Sequence, residues 1–314
     1  MDLTILQTIK ENIKKVMIGN DETIDLLLTA LIADGHVLLE DVPGTGKTVI
    51  AKTLARSIDA EFGRVQFTPD LLPSDVVGLS RLDPKTGEFV FAKGPAFCNI
   101  LLADEINRAT PKTQSSLLEC MAEHQITVDG VTHPLQSPFF VIATQNSLEN
   151  LGTFPLPEAQ MDRFLMQLSM EPLDTEKELA LVNRFIKDEP LESISSVCTA
   201  EDITVLQKQC QEIYIHPDLL DYMIRLVHAS RNHSKVVHGV SPRGTLAFVR
   251  AAQSFAMVKG RDFVTPEDIK TMAVPVLAHR LTMNVSFGAA SAARCAVTEL
   301  LNTITVPTEE WSKH

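Results

Sequence analysis

The sequence predicts an α/β domain, in which a parallel sheet is sandwiched by helices, followed by an all-helical domain. Three short apolar runs, at residues 36–40, 99–104 and 139–144, alternate with stretches of helical spacing. Apolar strands that alternate with helices form parallel sheets covered on both faces. From about residue 173 the strand pattern disappears and helical spacing dominates. We therefore expect two domains, residues 1–172 and residues 173–314.

The segments around these runs complete the first domain. Residues 1–34 have helical spacing with a break at Gly19-Asn20. Two insertions separate the strands. Residues 67–95 are rich in proline and glycine, and residues 124–136 predict a hairpin that turns at Asp129-Gly130.

Composition limits the classes of function. The 314 residues are 45% hydrophobic and 22% charged, with a formal net charge of −12. Such an acidic chain is repelled by phosphate backbones, so we do not expect nucleic acid as a partner. The five cysteines lie far apart without a C-x-x-C pair, so neither a zinc site nor a disulfide framework is indicated. The N-terminus lacks the pattern of a leader and no apolar stretch is long enough to span a bilayer, so we expect a cytoplasmic protein.

The segment Asp41-Val-Pro-Gly-Thr-Gly-Lys-Thr48 joins the first apolar run to a helical stretch. It ends like the phosphate-binding pattern G-x-x-x-x-G-K-[ST], with Asp41 in place of the first glycine. Backbone N–H groups from Gly44 to Thr48 can form a nest for a phosphate in front of a helix. We expect Lys47 to reach the β- and γ-phosphates of ATP and Thr48 to coordinate Mg²⁺. The alternative is a glycine-rich turn followed by Lys-Thr by chance.

Two acids, Asp104 and Glu105, follow the second apolar run. Ligands of parallel sheets bind at the carboxyl ends of the strands, so these acids are expected beside the phosphate loop. Asp104 suits a magnesium ion, held through a water ligand, and Glu105 suits a general base that polarises the attacking water. The alternative is an exposed acid pair that caps the following helix.

Three further polar residues are candidates for catalysis. Asn146 follows the third run and suits a contact to the attacking water and a γ-phosphate oxygen, although asparagine also favours turns. Arg163 closes the first domain, and Arg243 opens a helix of the second. Arginine stabilises charge on a transferred phosphoryl group, often from a neighbouring subunit. The alternative for each is an ordinary surface or salt-bridged arginine.

Taken in order, these motifs resemble the MoxR family of AAA+ ATPases, from Val16-Met-Ile-Gly19 to about Arg280. The resemblance implies a P-loop NTPase core and a helical lid domain. It also implies that residues 67–95 are a helix-2 insert and residues 124–136 a pre-sensor hairpin, as in magnesium-chelatase ATPase subunits. The characteristic segments are residues 35–48, 68–75, 94–96, 104–109, 143–146, 157–164 and 241–243.

The resemblance implies a role for each residue of the first domain. Lys47 and Thr48 match the Walker A lysine and hydroxyl. Asp104 and Glu105 match the Walker B pair, and Asn146 matches sensor 1. Ile18 and Gly19 match the segment that packs on adenine. The implied nucleotide contacts are Ile18, Gly19, Pro43, Gly44, Thr45, Gly46, Lys47, Thr48 and Val49.

The arginines are assigned by the same resemblance. Arg243 matches sensor 2, which contacts the γ-phosphate from the lid of the same subunit. Arg163 matches the arginine finger, which acts on the ATP of a neighbour and so implies a ring, typically a hexamer. Arg108 is a second, less favoured finger candidate. The family usually has Gly where this chain has Asp41 and often Pro where it has Ser147, but neither departure removes a catalytic group.

The function that the resemblance implies is an ATP-driven remodelling chaperone. Family members often act with a partner that carries a von Willebrand factor A domain, in maturation of or metal insertion into client proteins. Three alternatives remain open. The first is an ATPase subunit of a metal chelatase. The second is a nucleic-acid motor, against which the acidic charge argues. The third is a nucleotide-switched scaffold, which would not need Glu105 as a base.

Overall fold

A computed structural model describes residues 4–40, 45–146, 152–170, 173–186, 190–285, 288–308 and 311. The chain begins with two helices, α1 (Thr4–Val16) and α2 (Asp21–Ile32). They are separated at the predicted break, where Gly19 and Asn20 have left-handed backbone angles, φ +74° and +58°. Glycine adopts this conformation without steric cost, and asparagine tolerates it better than most residues. The break in the helical pattern is therefore confirmed.

The described strands and the remaining helices follow in two series. The strands are β1 (Val37–Glu40), β2 (Phe62–Gln66), β3 (Gly78–Leu82), β4 (Phe89–Lys93), β5 (Ile100–Asp104), β6 (Gln125–Val128), β7 (Val131–Pro134), β8 (Phe140–Gln145), β9 (Met166–Ser169), β10 (Val236–His238) and β11 (Thr282–Met283). The helices are α3 (Lys47–Ser57), α4 (Pro73–Val77), α5 (Pro111–Glu123), α6 (Glu158–Met161), α7 (Thr175–Phe185), α8 (Ala200–Cys210), α9 (Pro217–Arg231), α10 (Pro242–Val258), α11 (Pro266–Leu277) and α12 (Ala289–Thr303).

A five-stranded sheet in the order β2-β5-β8-β1-β9 forms the centre of the first domain. Every neighbouring pair in it is parallel. The three predicted strands are its inner strands β1, β5 and β8, and β5 is buried along its whole length. The prediction did not include the edge strands β2 and β9. Edge strands are covered less completely, and the exposed Arg64 and Gln66 interrupt β2, so no continuous apolar run marks it.

The two insertions form hairpins that contact each other. The first contains α4 and the pair β3–β4, and the second is the pair β6–β7. The second hairpin turns at Asp129 and Gly130, both with positive φ (+51° and +78°), as predicted. The ring of Phe91 in the first hairpin stacks on His133 of the second, with centroids 4.2 Å apart. This stack joins the two insertions on one side of the domain.

The second domain is helical, with one small departure. A two-stranded ribbon of β10 and β11 lies among its helices, which the all-helical prediction did not include. Helix α10 packs on α2, and one hydrophobic cluster extends from α1–α3 into α8–α12. Lys259 of the second domain also pairs with the buried Asp25 of α2 (2.7 Å). The two domains therefore share one apolar core, and the boundary at residues 172/173 stays a prediction.

Among the helices that the structure describes, none is both long enough and apolar enough to cross a bilayer.

Candidate active site

The described part of the phosphate loop ends in a tight turn onto α3. The helix begins at Lys47, and Gly46 before it has φ +88°. A Cβ on Gly46 would lie 3.3 Å from the Sδ and Cε atoms of Met17, so both conformation and space favour glycine. The first N–H groups of a helix lack partners within it and carry the positive end of its dipole, which suits a phosphate.

Part of the predicted loop lies outside the described residues. Asp41, Pro43 and Gly44 fall in the gap at residues 41–44, and Ser147 falls in the gap at 147–151. The contacts predicted for Pro43 and Gly44, and the consequence of Asp41, therefore stay predictions. Thr45, Thr48 and Val49 are described, and all three are half-buried at the start of α3.

Lys47 lies close to both acids of the second motif. Burial lowers the pKa of the Lys47 ammonium, and the negative charges of Asp104 and Glu105 oppose that change. Asp104 is nearly buried at the end of β5 and accepts a hydrogen bond from Arg64 Nε (2.8 Å). The structure thus brings Lys47, Asp104 and Glu105 together, and it adds Arg64 from the neighbouring strand β2.

Glu105 is held by its backbone and by its carboxylate. It has a left-handed backbone (φ +55°), which is uncommon for a residue with a side chain. Its N–H donates to Thr144 Oγ1 in β8 (2.8 Å). Its Oε2 accepts hydrogen bonds from Gln66 Nε2 (2.8 Å) and Arg108 Nη1 (3.0 Å). A strained residue fixed from three sides next to a phosphate loop is typical of an active site.

Asn146 lies at the same edge of the sheet. It follows β8, which neighbours β5 in parallel register, and it is buried. Asn107 Nδ2 donates to the backbone oxygen of Asn146 (3.3 Å), which links the segment after β5 to the end of β8. The ends of β1, β5 and β8 therefore carry Lys47, the acids and Asn146 to one edge, as the strand pattern predicts.

The oxygen donors at this edge fit a magnesium ion. Thr48 in the first turn of α3 and the carboxylate of Asp104 are hard ligands of the kind Mg²⁺ prefers. Within the described ranges, no group of three or more His, Cys, Asp or Glu side chains could hold a metal alone. Mg²⁺ is usually bound by one or two carboxylates together with substrate phosphates and water, so a sparse protein site is what this ion requires.

The contact from Gln66 to Glu105 leads to a first prediction. We expect Gln66→Ala to lower kcat for ATP about tenfold with KM unchanged, because a hydrogen bond to a charged group contributes about 1.5–3 kcal/mol and here orients a carboxylate. Steady-state ATPase kinetics measure both constants. Gln207→Ala removes a comparable amide contact, to Leu31 O (2.8 Å), far from the acids, and serves as the control. A raised KM with unchanged kcat would show that Gln66 acts on binding instead.

The two candidate arginines lie at the other end of the sheet. Asp162, directly before Arg163, accepts hydrogen bonds from Ser241 Oγ (2.9 Å) and from Arg280 Nε (2.7 Å). Ser241 caps α10, two residues before Arg243. Asp162 thus ties the core segment that carries Arg163 to the lid helix that carries Arg243. Arg163 itself is half-buried, and its Nη1 donates to Leu118 O (2.6 Å).

Arg243 follows the Ser241 cap that contacts Asp162, and its predicted contact with the γ-phosphate of its own subunit stays a prediction. Burial lowers the pKa of His36 and of Arg280, and the positive charge of Arg243 lowers both slightly further. His36 precedes β1, and its backbone oxygen accepts from Leu165 N, at the amino end of the sheet. The phosphate loop follows the carboxyl end of β1, which four residues of strand place about 13 Å away. The resemblance implied the role of Arg243 from its motif alone. The position of Arg243 depends on the contacts that the lid makes with Asp162.

A cleft of about 380 Å³ opens between the first and second domains, beside the segment predicted to pack on adenine. A Cβ on Gly19 would contact Leu173 and Lys177, which lie on the lid side. Ile18 and Gly19 are both half-buried there. The cleft is lined from the lid by Lys177, Val274, Pro275 and Arg294. Sequence reasoning missed these four residues, and it also missed Arg64 and Gln66, although Gln66 ends a strand in register with Asp104.

Comparison with known proteins agrees with this geometry. Residues 36–166 match the family model described as "ATPase family associated with various cellular activities (AAA)", and residues 228–297 match that of an AAA lid domain. The YeaC protein of Bacillus subtilis is 46% identical over 301 residues, which cover 95% of this chain and 94% of YeaC. The chaperone MoxR1 of Mycobacterium tuberculosis is 40% identical over 280 residues, covering 86% of this chain and 74% of MoxR1.

A solved structure has the same fold throughout. It is a crystal structure of a Cytophaga hutchinsonii protein assigned as an ATPase, with a TM-score of 0.90 and 37% sequence identity. The match covers 98% of this chain and 96% of that one. Family models, relatives and structure agree with the motifs at the sheet edge, and the chain belongs to the MoxR family of AAA+ ATPases.

Proposed function

We propose that this chain hydrolyses ATP to ADP and phosphate in a Mg²⁺-dependent reaction that drives remodelling or maturation of client proteins. The proposal of this reaction rests on the proximity of Lys47, Asp104 and Glu105 at one edge of the sheet, beside the N-terminus of α3. The client process follows from the family alone. A relative with 40% identity is named a chaperone, and we extend that role, including metal or cofactor insertion, to this chain.

The residues divide the chemistry among them. The N–H groups at the start of α3 and the Lys47 ammonium hold the phosphates. Mg²⁺ bound by Thr48 and Asp104 would offset charge on the phosphate oxygens. Glu105 accepts the proton of the attacking water. To do so, its carboxylate gives up the hydrogen bond from Gln66 or Arg108 and accepts one from the water instead. Asn146 orients that water from the next strand.

The arginines support an assembly of several subunits. Arg163 and Arg243 are linked through Asp162 at the end of the sheet opposite to the phosphate loop. We propose that both act on the ATP of a neighbouring subunit in a ring, expected to be a hexamer. In this arrangement Arg163 is the arginine finger. Arg108 is already paired with Glu105 of its own chain, which disfavours it as the finger.

The cellular setting is proposed on the same basis. We expect a cytoplasmic protein that works with a partner carrying a von Willebrand factor A domain. The joined insertion hairpins expose Leu82, Phe89 and Val131, which are available for contact with a client. An ATPase subunit of a metal chelatase is the second candidate, since the hairpins resemble those of that class. A chelatase partner in the complex would favour it.

Replacement of Lys47 by alanine tests the proposed reaction. We expect Lys47→Ala to weaken ATP binding about 10- to 100-fold and to remove turnover at moderate ATP concentration, because the ammonium contributes a charged hydrogen bond to the phosphates. Equilibrium binding of a fluorescent ATP analogue and phosphate release measure the two effects. Lys52→Ala, which removes an exposed lysine one turn further along α3, is the control. Equal affinity of Lys47→Ala and wild-type protein would refute the phosphate site.

A further inference from the structure

The lid approaches the phosphate loop of its own subunit at Arg294. This residue lies in α12, and its Nη2 donates to Glu40 Oε2. Glu40 is the last residue of β1 and directly precedes the phosphate-loop segment at residues 41–48. Arg294 is therefore held at the carboxyl end of β1, the strand that leads into that segment. Arg243, which the motif pattern favours as the lid cation, follows Ser241, which contacts Asp162 near the opposite end of β1.

The cleft beside Arg294 continues the nucleotide site. Asn20 and Lys177 line it next to the segment predicted to pack on adenine, and Met17, directly before that segment, borders Gly46 of the loop. The cleft and the phosphate loop are therefore linked through the short segment from Met17 to Asn20. Its apolar lining suits a nucleobase and is formed by Leu26, Leu168, Leu173, Val274 and Pro275. Arg294 both lines this cleft and contacts Glu40 at the end of β1.

The guanidinium of Arg294 has donors to offer. It carries five N–H groups in a planar fork, of which the contact to Glu40 uses one terminal nitrogen. Its side chain is 38% exposed, so it is not enclosed by protein. Such a fork matches phosphate oxygens well.

We propose that Arg294 binds the phosphates of the nucleotide held in its own subunit and that Glu40 positions it there. The inference rests on the proposed nucleotide site and adds a residue to it. It makes α12 the lid element that responds to nucleotide in the same subunit. The surface that contains Arg163 and Arg243 then serves the neighbouring subunit.

Binding of fluorescently labelled ADP to the full chain in the presence of Mg²⁺ tests this inference. We expect Arg294→Ala to raise the Kd for ADP about tenfold, as for loss of one charged hydrogen bond, and Arg294→Lys to recover part of the affinity. Arg225→Ala is the matched control. Arg225 is an exposed lid arginine (44%) that is likewise paired with an acid, Asp221 (2.8 Å), on α9. We expect its removal to leave the Kd unchanged.

A double variant separates direct contact from mere charge balance. If Arg294 only neutralises Glu40, Glu40→Gln combined with Arg294→Ala restores the wild-type Kd. We expect the double variant to bind as weakly as Arg294→Ala. Restored affinity, or an Arg294→Ala that matches Arg225→Ala, overturns the inference. A wild-type chain that does not bind ADP, or a Lys47→Ala that binds it normally, would instead refute the proposed nucleotide site.

Discussion

Glu105→Gln is expected to keep ATP bound and to slow its hydrolysis about 10²- to 10⁴-fold, the range typical of losing a general base. The amide has the size of the carboxylate, and its oxygen can still accept from Gln66 and Arg108. The backbone contact to Thr144 is untouched, so the left-handed turn after β5 should persist. What is lost is the ability to take a proton from water at neutral pH.

Single-turnover hydrolysis and nucleotide binding, measured on the same preparation, test this prediction. Glu119→Gln makes the same exchange at an exposed position of α5 and should behave as wild type. Hydrolysis by Glu105→Gln at the wild-type rate would show that another group accepts the proton. A Glu105→Gln variant that retains ATP is also suited to capturing clients. A complex that forms only with bound ATP persists when that ATP is not hydrolysed.

The sequence predicts the inner half of the fold better than its edges. The strands β1, β5 and β8 are buried on both faces, so their apolar runs and their polar ends follow directly from the physics of parallel sheets. At the edge, β2 alternates exposed and buried positions, and Arg64 and Gln66 conceal it. The same two residues contact Asp104 and Glu105. The part of the site that the sequence did not predict is therefore the part contributed by an unpredicted strand.

The packing of the lid on the core is the second feature that the sequence did not predict. A motif identifies Arg243 as a functional arginine, but only the packing of α10 against the core decides which ATP it can meet. That packing depends on Arg280, a nearly buried guanidinium that bonds Asp162 and the backbone oxygens of Phe164 and Leu165. Burial lowers the pKa of Arg280 to about 10, so it remains charged at neutral pH. Contacts of this kind join residues more than 100 positions apart, and no local pattern shows them.

Arg163→Ala is expected to reduce the ATPase rate of the assembled protein about 10³- to 10⁵-fold, as for loss of an arginine finger, with nucleotide affinity unchanged. Arg163 lies at the end of the sheet opposite to Lys47, so we expect it to act on the ATP of a neighbour and not on that of its own subunit. Adding Lys47→Ala subunits should restore part of the rate. Such subunits lack a working phosphate loop but carry an intact Arg163, which they present to the intact loop of an Arg163→Ala neighbour.

The control for this mixing experiment is a subunit that carries both Lys47→Ala and Arg163→Ala, which should restore nothing. Mixed rings that form without recovery of ATPase activity would show that Arg163 does not act between subunits. The same mixing decides the role of Arg243. Because Ser241 donates to Asp162, the residue directly before Arg163, we expect the two arginines to face the same neighbour. Arg243→Ala should then be rescued by Lys47→Ala subunits as well. Rescue of Arg163→Ala alone would instead mean that the lid turns during the cycle and brings Arg243 to the ATP of its own subunit.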